Sequence, residues 1–98
     1  MSLNPEIRGV LDLLIDGVIA QAPVFAKSFL DPKTTSRLHI KSSDDFSIGV
    51  AVGIIVAEFN TLFVSAYGRG TSEQDLSEVS QVISRRMPEI RDAVFRAG

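Results

Sequence analysis

Hydrophobic and polar positions are spread unevenly along this chain. Between Asp45 and Arg69 lie 23 residues with one charged group, Glu58. Two periods compete within that run. Phe46, Ile48, Val50, Val52 and Ile54 alternate with Ser47, Gly49, Ala51 and Gly53, as in a strand. The alternation collapses at Ile55-Val56-Ala57. A helical period survives the full length: Ser47, Ala51, Ile54, Glu58, Thr61, Ser65 and Arg69 recur three or four residues apart and gather the charge and most hydroxyls into one narrow stripe. Ser42 and Asp45 stand at capping-box spacing before the run, and Gly68 and Gly70 form a stop signal after it. A long central helix is therefore expected. The alternative is two strands, 46–56 and 61–67.

Residues 4–22 read as a first helix. Asn4 suits the N-cap, Pro5 the first helical position, and Glu6 the positive end of the dipole. Ile7, Val10, Leu11, Leu14, Ile15, Val18, Ile19 and Ala22 make one wide apolar face, and Pro23 is expected to end it. Gly9, Leu13, Gly17 and Ala20 form a second stripe of mostly small residues. They are either tolerated surface positions or a face for close approach by another helix. Val24, Phe25, Phe29 and Leu30 fit a helical turn or two, and Asp31-Pro32 fits the cap and start of a brief helix. The pattern weakens from Lys33 to Ser43. Arg37 to Lys41 alternates, as a short strand or extended arm would.

The C-terminal segment reads as an amphipathic helix. Thr71 with Gln74, or Ser72 with Asp75, gives capping-box spacing, and Glu73, Asp75 and Glu78 load its first turns with negative charge. Leu76, Val79, Val82, Ile83 and Met87 form the buried stripe, which Ile90, Val94 and Phe95 continue. Pro88 is expected to kink or restart the helix. Arg85 with Glu89, and Asp92 with Arg96, are spaced to pair along the surface.

Length changes this picture first. At 98 residues the chain is expected to be one domain, 1–98, with a modest core. Long apolar stripes offer more surface than such a core hides, which points to self-association. Charge then excludes partners. The net charge is −2, and residues 69–98 carry five arginines against five acidic residues. That balance lacks the basic footprint of a nucleic-acid binder. Without cysteine there are no disulfides or thiolate chemistry, which fits a reducing, cytoplasmic setting. No signal-peptide pattern opens the sequence. The central run is nearly long enough to span a bilayer, but Glu58 would then lie near the bilayer centre, at about 2.5–3.5 kcal/mol on insertion scales. Trp is absent and no basic cluster marks one flank. These features argue against a membrane span.

Candidate chemistry is sparse. His39 is the lone histidine, with no nucleophile-elbow motif near it. Asp12 and Asp16 share a helix face, at a spacing that suits a divalent metal, but the Glu-x-x-His partner motif of di-metal bundles is missing. Glu58 is the most interesting carboxylate: it is expected to reach solvent along the polar stripe or to pair with an arginine, whereas the alternative, burial among Ile54, Ile55 and Leu62, would raise its pKa and mark a functional cleft. Gly49, Gly53 and Ala57 lie four residues apart on the central helix, where they either make room for larger side chains of the first helix or admit the backbone of a second copy closely.

The expected fold is all-α, a small helical bundle with a long apolar central helix and a kinked C-terminal helix. The alternative is α+β, with a short hairpin from residues 37–67. The expected role is a non-enzymatic structural or interaction module without a cofactor. It would bind itself, as a dimer or higher oligomer, through Gly49, Gly53 and Ala57 with Gly9, Leu13 and Gly17, and would scaffold a further protein. One rival is an apolar-ligand or lipid-binding module with a pocket lined by Phe46, Phe59, Phe63 and Tyr67. Another is an enzyme using Glu58 or His39.

Overall fold

The computed structural model describes residues 3–96, and within them the chain forms four helices and no strand. They are α1 (Pro5–Leu30), α2 (Pro32–Arg37), α3 (Ser43–Tyr67) and α4 (Glu73–Arg96). The α+β alternative is thereby corrected: residues 43–67 are one helix, and the alternation from Phe46 to Ile54 marks no strand. The stretch from Arg37 to Lys41 is the end of α2 and a turn, not an arm.

Local chemistry sets most helix ends. Asn4 caps α1, its side chain accepting from the Glu6 amide at 2.8 Å. Asp31 caps α2 by accepting from the Thr34 amide and hydroxyl. Ser42 caps α3 by accepting from the Asp45 amide at 3.3 Å. Gly68 closes α3 in the left-handed region, φ 70°, where a residue without Cβ carries no steric penalty. Ser72 and Asp75 form a reciprocal capping box at α4. The Ser72 hydroxyl accepts from the Asp75 amide at 3.1 Å, and Asp75 Oδ2 accepts from the Ser72 amide at 2.9 Å. Thr71 is engaged elsewhere, its amide and hydroxyl donating to Asn60 Oδ1 on α3.

Pro23 does not end the first helix. α1 continues to Leu30, although an internal proline removes a hydrogen bond and costs about 3 kcal/mol. Packing on both sides of the proline offsets that cost. Ala22 and Ala26 are buried with Val94 of α4, and Phe25 and Ile48 pack against them. α4 likewise runs on through Pro88, its second half held by buried Ile90 and Val94.

The core lies between α1, α3 and α4. α1 packs on both other long helices, while α3 and α4 meet over a shorter stretch. Leu11, Ile15 and Val18 of α1 face Ile55 and Phe59 of α3 and Val79, Ile83 and Ile90 of α4. On α3 the buried row is Ser47, Ala51, Ile55, Phe59 and Phe63, at a uniform spacing of four. Rows of that spacing are inclined to the helix axis, the usual ridge for helix crossing. This row divides the expected polar stripe. Ser47 and Ala51 are fully buried, while Glu58, Thr61, Ser65 and Arg69 are exposed.

Candidate interface on the central helix

The outer side of α3 holds apolar and small residues that the fold leaves uncovered. A Cβ built at Gly49 or Gly53 meets nothing within 4 Å. Each interior glycine costs about 1 kcal/mol of helix stability relative to alanine. Among the described residues no neighbour uses the space left by the missing side chains. Gly49, Gly53 and Ala57 are exposed. At 3.6 residues per turn they share the side opposite the buried row with Phe46, Asn60 and Val64, and none of these is charged. Val50, Val52, Ile54 and Val56 beside them are only half-buried, and Leu62 and Val64 are 43% and 42% exposed.

α1 repeats the theme. Gly9, Leu13, Gly17 and Ala20 all face outward, and a Cβ at Gly9 or Gly17 also meets nothing within 4 Å. Leu13 is 70% and Val24 76% exposed, the barest large apolar side chains among the described residues. The six residues expected at an interface thus lie in two rows, on two helices, both turned away from the core. By length and composition alone, Pro5–Phe29 and Ser43–Tyr67 would suffice to cross a membrane, with mean hydropathy 1.6 and 1.9. Only 28% and 33% of those apolar windows are buried inside the fold.

The polar candidates take other places. Glu58 is exposed on α3, in line with the expectation that it reaches solvent, and the alternative of a buried carboxylate in a cleft is corrected. Leu62 lies outside the buried row and is 43% exposed, and Ile55 turns to the core. His39 stands in the turn after α2 with φ 56°, its amide donating to Ser36 O while the Ile40 amide donates to Thr35 O. Those two bonds are the Schellman pattern, and His39 holds the left-handed position of it. About 15 residues of α3 at 1.5 Å each, roughly 22 Å, separate the start of α3 beside His39 from Glu58. The two do not share a site.

Asp12 and Asp16 form a receptor for arginine. Arg86 of α4 donates Nη2 to Asp16 Oδ1 at 2.6 Å and Nη1 to the main-chain oxygen of Asp12 at 3.0 Å. It also donates Nε to Glu89 Oε2 at 2.9 Å. Partial burial alone would lower the Arg86 pKa, but the hydrogen bonds to Glu89 and Asp16 outweigh it and the pKa is raised. Glu89 therefore pairs with Arg86 rather than with Arg85, whereas Asp92 and Arg96 do pair, at 2.6 Å. Sequence reasoning missed this arginine. The signal was its place among Val82, Ile83 and Ile90 on the apolar side of α4, where a solvated side chain would not sit. Among the described residues no group of three or more His, Asp or Glu side chains could hold a metal ion.

At the opposite end, Asp75 is 5% exposed and accepts from Arg69 Nη1 at 3.1 Å. The Ser72 amide and hydroxyl bonds, more than Arg69, hold its carboxyl below the ordinary value, against the opposing effect of burial. The Arg69 guanidinium also lies 4.9 Å from the Phe63 ring centre. Phe63 and Tyr67 line a shallow cavity there with Leu3, Asn4 and Ile7. Neither Phe46 nor Phe59 lines that cavity; Phe46 stacks on Phe29, ring centres 5.2 Å apart. Of the four aromatics named for an apolar-ligand pocket, Phe63 touches both Phe59 and Tyr67, ring centres 5.9 and 4.6 Å apart, while Phe46 lies apart from them. Comparison with known proteins adds no further guide: no family model, curated protein or solved structure matches the chain.

Proposed function

We propose that this chain is a non-enzymatic interaction module that self-associates through α3 and acts as a scaffold. The observation that carries this reading is the open space at Gly49 and Gly53. Two glycines in the interior of a 25-residue helix lower its intrinsic stability, and among the described residues nothing packs into the space they leave. A second helix backbone approaching closely over Gly49, Gly53 and Ala57 would compensate. The half-buried Val50, Ile54 and Val56 beside the row would add apolar burial at roughly 25 cal/mol per Å² removed from water.

The scarcity of chemistry supports the same reading. Glu58 and His39 are far apart, His39 shapes a turn, and the Asp12 and Asp16 pair is occupied by Arg86. Sedimentation velocity on the wild-type chain and on Gly53→Arg tests the proposal. The wild type should sediment as a dimer or higher oligomer, and the variant as a folded monomer. Equal sedimentation of the two chains would defeat it.

A further inference from the structure

We propose that the cavity between the start of α1 and the first half of α4 binds a small zwitterion of the α-amino-acid type, with its ammonium on Glu78 and its carboxylate on Arg8 and Arg85. The proposal does not draw on the self-association reading. Among the described residues none from α3 lines this cavity.

α1 and α4 run side by side in a fixed register. Asp16 meets Arg86, 70 residues on, and further along Ala22 and Ala26 meet Val94. The same offset of 70 sets Arg8 of α1 opposite Glu78 of α4. Arg86 closes on its acidic partners, but Arg8 and Glu78 do not close on each other. They line a cavity of about 160 Å³ together with Arg85, Gln81, Val82 and Leu3. Glu78 Oε2 is buried there and has no hydrogen-bond partner among the described residues. Glu89, the acid four residues beyond Arg85, is taken by Arg86. Among the described residues neither Arg8 nor Arg85 enters an ion pair.

These unmet demands have opposite signs. A buried carboxylate oxygen is nearly always given a donor, because its lost hydration is otherwise uncompensated. Guanidinium groups are donors only and need acceptors. A simple anion would suit the arginines but meet repulsion from Glu78. A simple amine would suit Glu78 but not the arginines. An amino acid carries both groups: its ammonium has three donors, and its carboxylate accepts the planar fork of an arginine. The placement along α4 fits such a ligand. Glu78, Gln81, Val82 and Arg85 share one helix face, with Glu78 and Arg85 two turns, about 10 Å, apart at the backbone. The volume equals that of about five water molecules, the scale of glycine, alanine or serine rather than of a drug-sized ligand. Leu3 and Val82 give the ligand's side chain an apolar wall.

Titration of the full ¹⁵N-labelled chain, followed by amide chemical shifts, tests the site with L-alanine, propionate, ethylamine and inorganic phosphate as probes. L-Alanine should shift the amides around residues 78–85 and saturate at millimolar concentration or below. Propionate and ethylamine should each bind about tenfold more weakly or worse. That selectivity is read on the wild type alone and does not depend on any variant folding. Glu78→Gln should weaken L-alanine about tenfold and leave propionate within about twofold, whereas Arg85→Ala should weaken both. Glu58→Gln, on the outer side of α3, should change neither. Circular dichroism confirms the helix content of each variant. Absence of L-alanine binding to the wild type overturns the site, as does L-alanine binding that Glu78→Gln leaves unchanged. Phosphate that binds more tightly than L-alanine, and is indifferent to Glu78→Gln, overturns it in favour of a plain anion patch.

Discussion

Arg86 on α4 and Asp16 on α1 are 70 residues apart in sequence and joined at 2.6 Å in the fold. The same guanidinium reaches the main-chain oxygen of Asp12, so one side chain ties α4 to successive turns of α1. Its guanidinium is more shielded than that of an ordinary surface pair. The Arg86 side chain is 21% exposed, whereas Arg96 and Asp92 are 77% and 57% exposed. Replacing Arg86 by Ala should cost about 1.5 kcal/mol, the lower end of the range for hydrogen bonds to charged groups, because Asp16 and Glu89 are themselves 58% and 56% exposed. Arg96→Ala should cost no more than about 0.5 kcal/mol. Urea denaturation of both variants checks the contrast, and equal losses would refute it.

Asp75 predicts a pH dependence whose sign is fixed. Its carboxyl titrates lower in the folded chain than the value of about 3.9 expected when unfolded. The stability it contributes is complete above the unfolded value and is lost as pH falls through the folded one. The gap in urea midpoint between wild type and Asp75→Asn should hold steady from about pH 7 to pH 5 and shrink below about pH 4. A gap that widens in acid would show that the Ser72 and Arg69 contacts do not favour the carboxylate.

The lone histidine yields a prediction about backbone rather than catalysis. With φ 56°, His39 occupies a region where non-glycine residues carry a penalty of order 1–2 kcal/mol. His39→Gly should hold or raise stability by up to about 1 kcal/mol. His39→Val should lower it by more than about 1 kcal/mol, because a branched Cβ is worse placed there. Thermal unfolding of the pair is sufficient. A stable valine variant would mean the turn does not take this form.

The legible parts of the fold were the local ones. Asn4-Pro5, Asp31-Pro32, Ser42 with Asp45, Gly68, and Ser72 with Asp75 mark helix ends because each works through bonds a few residues long. The misread parts depend on distant contacts. Pro23 signals a stop, and only packing of Ala22 and Ala26 against Val94 carries α1 past it. Ser47 reads as part of a polar stripe, yet it is fully buried and its hydroxyl has no hydrogen-bond partner. The four-residue ridge that meets α1 places it there. The glycine rows were legible as candidates from spacing alone. That no described residue fills their space required the packed helices.

Those glycines predict opposite effects on two measurements. Gly49→Ala and Gly53→Ala enter open space within the chain and improve helix propensity, so each should stabilise the isolated subunit by about 0.5–1 kcal/mol. Each should also weaken self-association, because an added methyl holds two backbones apart. Urea unfolding at low concentration reads the first effect and sedimentation equilibrium the second. Alanine variants that raise both stability and association would contradict the close-approach account.

The central claim is that the uncharged outer side of α3 is covered by another copy of the chain. Light scattering on the purified wild-type protein at micromolar concentration tests it most directly. The account predicts a mass of at least twice the 10.6 kDa of one chain. A well-behaved particle of 10.6 kDa, unchanged on raising the concentration, would contradict it.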